Sequence, residues 1–141
     1  NQVTALTTAQ VGALNAIQLA TLGSDRIGWL STSQIAAMDP RAIGGLSVTQ
    51  VSALSATQAE ALTPQQVAGL NSAQLTALGA NNFRTFSTED IAAISQQALP
   101  GLTVSQISNM TTAQLQAITA TQSNNLSPEQ IAAVLAAYQG V

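Results

Sequence analysis

The side chains able to do chemistry are few enough to take one by one. Six carboxylates (Asp25, Asp39, Glu60, Glu89, Asp90 and Glu129) stand against three guanidinium groups (Arg26, Arg41 and Arg84), and the sequence has no Lys, His or Cys. Imidazole acid–base work, thiol chemistry and the usual zinc sites are thereby excluded. Glu89 and Asp90 are adjacent, but two neighbouring acids without a third ligand make a poor calcium site. Following Ser87, they fall where a helix starts and where carboxylates complement its dipole. Asp25-Arg26 and Asp39-Pro40-Arg41 read either as surface ion pairs, which are worth little, or as a docking patch. No nucleophile–base pair or carboxylate pair is set up by the spacing, so catalysis is not expected. A net charge of −3 with three scattered arginines cannot neutralise a run of phosphates, which argues against a nucleic-acid partner. No cofactor or metal is expected.

What must position these residues is a strict period of eight. Large apolar residues fall in pairs three apart, each pair followed by a gap of five: Val11/Leu14, Leu19/Leu22 and Ile27/Leu30 begin a series that starts at Val3/Leu6 and reaches Ile131/Val134. Two units keep only the second member, Leu62 and Leu126, with Ala59 and Ser123 in the first slot. The register never slips over about seventeen units, which is the mark of a repeat protein. Read from its leading apolar residue, the unit is Leu, Ser or Thr, two variable residues, Gln, an aliphatic, a small residue and Ala. Ser or Thr followed three residues later by Gln is a capping box. Pro64 and Pro128 directly follow Thr63 and Ser127, at the first helical position, where a missing N–H costs nothing.

Each octad therefore predicts one short capped helix of about six or seven residues, its two apolar residues on one face. A helix this short does not hold in water. Burying two large apolar side chains gives roughly 3–6 kcal/mol, while ordering eight backbones costs about 8–16 kcal/mol. The units must stack, and the expected architecture is all-α, a solenoid or superhelix of short capped helices in a single domain spanning residues 1–141. A β-solenoid also tolerates short repeats, but pairs three and five apart break the alternation of a strand. Abundant Ala and Gln with few aromatics suit helices better.

A longer period lies over the short one. Residues 6–61 align without a gap with residues 62–117, identical at 23 of 56 positions, and a shortened third copy begins at residue 118. Asn15 matches Asn71, Gly23 matches Gly79 and Gly45 matches Gly101. Either the gene grew by duplicating seven octads, which is the simpler account, or seven octads complete a structural cycle. Gly44-Gly45 and Pro100-Gly101 are read as looser corners between helices. Phe83 and Phe86 fall on regular core positions. Trp29 takes the last place of its octad, normally Ala, and is either a ring folded over a local groove or a contact residue for another subunit, since Trp concentrates interface energy. From Pro128 the chain runs on through Tyr138 with no second cap before Gly140, which predicts a longer C-terminal helix acting as a terminal cap or inserting into a neighbour. The other end begins in mid-octad, an uncapped apolar face suited to head-to-tail association.

Runs such as Leu6-Thr-Thr-Ala-Gln-Val-Gly-Ala-Leu14 resemble the tandem Leu-Thr-Thr-x-Gln-Val-x-Ala-Leu repeats of large bacterial surface and secreted adhesin-like proteins, over essentially the whole chain. Leu62-Thr-Pro-Gln-Gln-Val67 also looks like the opening of a DNA-reading effector repeat of bacterial plant pathogens, but neither its longer period nor its basic character is present. The closer resemblance implies an extracellular structural role and supplies no functional residues. The expected function is a non-enzymatic subunit of a self-assembling extracellular filament or surface layer; the alternative is a spacer or ligand-binding segment of a large secreted adhesin. The expected partner is the chain itself or other surface components, with Trp29, Arg26, Arg41, Arg84 and Tyr138 as candidate contacts. The absence of Lys suits life among extracellular proteases. The longest apolar run, residues 131–138, is too short to span a bilayer. No leader is visible, but the sequence opens on Asn1, so its absence says little.

Overall fold

The capping signals produce the helices they predict. A computed structural model describes residues 4–139, so Val3 and Gly140 lie outside the described residues. Within them the chain is all-helical, with fourteen α-helical segments and one 3-10 turn. Most helices have four to six residues, the C-cap and the next apolar leader completing each octad. Thr7, Ser31, Ser47, Ser55, Thr63, Thr103, Thr111 and Thr119 each close a reciprocal capping box with the Gln three residues on. The last helix, Pro128–Gln139, is twelve residues long. The helix printed as Ser72–Phe83 is broken at Gly79 (φ 75°, ψ 166°), so it too is two octad helices.

Gly23 and Gly79 stand where the other octads carry a cap residue, and both adopt positive φ. That backbone favours glycine, which lacks the Cβ that would be strained there. The octad from Ile94 departs further, forming a turn and a 3-10 segment, Leu99–Gly101. Pro100 cannot donate a helical N–H, so the α-helix expected there does not propagate.

Stacking follows from the apolar pairs. Val11, Leu19, Ile27, Ile35, Ile43, Val51 and Val67 are fully buried, and the second members from Leu30 to Met110 are at most 7% exposed. Phe83 and Phe86 lie in this core, their ring centroids 5.2 Å apart. Each helix packs on the one three octads earlier, as Pro40–Ile43 packs on Ala16–Ala20 and Pro64–Ala68 on Pro40–Ile43. Side-chain bonds reach back 28 and 31 residues. One superhelical turn thus takes about 28 residues, or three and a half octads. Two turns span 56 residues, the length of the long repeat, so the fold contains a cycle of that size whether or not duplication built it.

Candidate functional site

The polar chemistry of this molecule is concentrated in the seam between turns. The cap-box Gln has a second role beyond its helix. In Gln66, Oε1 accepts from Thr63 N–H at 2.9 Å, while Nε2 donates to the carbonyls of Ile35 and Met38, both at 2.8 Å. Those acceptors are the two apolar residues of the octad four units back. Gln58, Gln74, Gln114, Gln122 and Gln130 repeat the arrangement onto Ile27/Leu30, Ile43/Leu46, Phe83/Phe86, Ile91/Ile94 and Leu99/Leu102. All of these glutamines are buried. A buried amide must satisfy both its donors and its acceptor, and here one side chain closes a helix start and ties it to the turn below. Gln50 and Gln106 keep only the bond 31 residues back, to Leu19 and Leu75. Their missing acceptors, Leu22 and Leu78, directly precede the positive-φ residues Gly23 and Gly79.

Glycine marks the tightest points of the seam. A Cβ at Gly45 would overlap Ala16, and one at Gly101 would overlap the Ser72 carbonyl. A Cβ at Gly69 would lie 2.6 Å from the Pro40 oxygen. Each contact reaches back 29 residues. The expectation of loose corners at Gly44-Gly45 and Pro100-Gly101 is thus corrected: Gly45 and Gly101 are places where two turns touch backbone to backbone.

One octad breaks the ladder. Asp90 stands where Gln is usual, and its Oδ2 accepts from Ser87 N–H at 3.0 Å. Its Oδ1 is buried with no partner, and the residue is 3% exposed. By register it belongs opposite the carbonyls of Ala59 and Leu62, to which an ionised carboxylate offers no proton. Burial raises its pKa above the usual carboxylate value, against the bonds from Ser87, and the neighbouring Glu89 adds to the rise. A raised folded-state value favours the folded chain when the group is protonated. This contribution is complete below the unfolded carboxyl value, near 3.9, and is lost as pH rises through the higher folded value. Asp39 and Glu89 have lowered values and opposite sign, but both are exposed at the surface. We expect Asp90→Gln to restore the cap and the bonds to Ala59 and Leu62, raising stability at neutral pH by about 1–3 kcal/mol. The variant should also lose the gain in melting temperature that the parent shows on acidification. An unchanged pH profile would place the titrating group elsewhere.

The predicted contact residues are scattered over the surface. Arg26 and Trp29 share a shallow groove with Leu22, Gly23, Ser24 and Asp25, where Arg26 donates to the Leu22 carbonyl at 3.3 Å. Trp29 is 47% exposed. Arg41 pairs with Asp39 at 2.9 Å, and that bond holds the Asp39 carboxyl below its usual value. The Arg41 side chain is 92% exposed, so the pair is a surface one. Arg84 is exposed, and Tyr138 is 40% exposed on the last helix. Arg26 and Trp29 are the two that the fold brings together. Among the described residues no cluster of acids could hold a metal ion, and no helix is long and apolar enough to cross a membrane.

The ends of the stack differ from its middle. Leu6, Leu14 and Leu22, and Ile118 and Leu126, are only partly buried, where the same position inside is sealed. Gln10 and Gln18 cap their helices through Thr7 and Asn15, but their amide nitrogens meet no carbonyl among the described residues. A family model described as the ALTTAQ repeat matches residues 3–40, which contain that hexapeptide at residues 5–10. The chain is a repeat protein. The ALTTAQ hexapeptide spans the leader, cap and bridging Gln of one octad, the residues from which the seam is made. No curated protein and no solved structure matches the chain.

Proposed function

We propose that this chain is a non-enzymatic structural protein, a subunit that assembles with copies of itself into an extracellular filament or surface layer through solenoid–solenoid contacts. The observation that carries the reading is the pair of unsealed ends, where core leucines and seam amides that the interior buries are left open. Low charge supports it, because nine ionisable side chains of Asp, Glu and Arg do little to oppose association. Bacterial surface localisation follows the resemblance of the octads to adhesin-like repeats and the absence of Lys.

A second reading, a spacer or ligand-binding segment of a large secreted bacterial adhesin, is favoured by the seam itself, which the same glutamine bond could extend octad after octad. Electron microscopy across a range of concentrations separates the two. Fibres or sheets with a regular repeat support the polymer, whereas discrete rods at every concentration support the spacer. Trp29 sharpens the test. Being half exposed, it should be replaceable by alanine with helicity and melting temperature nearly unchanged, while sedimentation shows weaker assembly. Loss of helix content in circular dichroism would instead make it part of the fold.

A further inference from the structure

We infer that each open end is covered by the opposite end of a second copy, in the register that continues the superhelix. The inference rests on the self-assembly reading and names its interface. Inside the chain, a Gln at one position donates to carbonyls 31 and 28 residues earlier. At the first turn, Gln10 and Gln18 have amide donors without carbonyls. At the last turn, the matching carbonyls of Leu115 and Ile118, and of Ser123 and Leu126, receive no glutamine. What one end lacks, the other presents.

The last helix sets the register. Pro128–Gln139 runs straight where an octad would turn, and it packs on Val104–Ser108 and Thr112–Gln116. It therefore occupies the place of the octad that would have bridged Ile107 and Met110. The next slot along is Leu115 and Ile118, and a second copy placing Gln10 there puts Gln18 on Ser123 and Leu126. The 29-residue contact then brings Ala13 of the second copy against Ala120. This is small on small, as the seam requires where Gly45 meets Ala16. Leu6 and Leu14 of the second copy cover Ile118 and Leu126, so the partly buried residues of both ends are sealed together. The exposed Trp29, Ile131, Leu135 and Tyr138 lie in the same two terminal regions.

The test exploits a sequence with no cysteine. Chains carrying both Ala13→Cys and Ala120→Cys are assembled and mildly oxidised, beside a control with Ala13→Cys and Ala113→Cys. In-register stacking predicts a ladder of disulfide-linked oligomers at least about tenfold more abundant than in the control. A second variant, Gln10→Glu with Gln18→Glu, keeps both capping boxes, since Glu caps as well as Gln, but replaces the donors with carboxylates. It should leave circular dichroism unchanged and raise the concentration needed for assembly at least about tenfold. If the parent chain assembles while the ladder matches the control and the Glu variant assembles normally, this interface is wrong and the self-assembly reading survives. If the parent sediments as a monomer at every concentration, the self-assembly reading fails, and this inference with it.

Discussion

Replacing Gln66 with leucine should destabilise the protein by about 3–5 kcal/mol, several times the effect of removing the cap beside it. The side chain is fully buried, and its loss strands three groups: the Thr63 N–H and the carbonyls of Ile35 and Met38. An unsatisfied buried polar group costs about 1–3 kcal/mol, and leucine fills the volume without offering a proton. Thr63→Ala removes only the reciprocal bond to Gln66 N–H, at 3.2 Å, and should cost about 1 kcal/mol. Gln66→Glu discriminates further. It retains the cap but sets a buried carboxylate against two carbonyls, and should be at least as harmful as leucine, whereas Gln10→Glu at the open end should hardly change the melt. Urea unfolding followed by circular dichroism measures all four. A Gln66→Leu midpoint no lower than that of Thr63→Ala would mean that the amide bonds between turns contribute nothing net.

The second large effect separates two neighbouring glycines. Gly45→Ala should cost about 3 kcal/mol or more, because its new methyl would overlap Ala16, including the main chain, and the turns would have to part. At Gly44 the nearest atom to an added Cβ is the Gly69 oxygen at 3.5 Å, an ordinary contact, and φ is −61°. Gly44→Ala should therefore be neutral or stabilise by about 0.4–1 kcal/mol, through a stiffer unfolded chain. Thermal melts of the two single variants should move in opposite directions or differ by several degrees. Equal destabilisation would show that the backbone contact at Gly45 yields without cost.

These two positions mark the limit of what could be read from residues alone. Capping, the three-apart apolar pair and the long final helix are local, and their spacing of three to eight residues was legible. The seam is not local. It returns after about 28 residues, which is not a whole number of octads, so no eightfold pattern advertises it. A clue was present nonetheless. A capping box accepts Glu as readily as Gln, and near a helix start the dipole favours the acid. Eleven octads carry Gln at this position and none carries Glu. The exclusion of Glu says that a donor is needed as well as an acceptor, hence a second partner. Gly45 and Gly101 misled because glycine signals conformational freedom more often than close approach. At both residues the need is for room. Asp90 was read correctly as an acid in a first turn, but its burial depends on the neighbouring turn and could not be seen.

The half-octad left over at each turn has a mechanical meaning. Masons lay bricks in running bond so that every joint is bridged by the course above, and a crack cannot follow the mortar. The helix Pro64–Ala68 does the same: its Gln66 grips the octad of Ile35, while the C-cap residue Gly69 bears on Pro40 of the next. Pulled along its axis, such a rod has no plane of separation that avoids splitting a unit. Load on one octad is shared by two beneath it, and failure should proceed by peeling from an end, one bridged joint after another, with the middle of the wall yielding last.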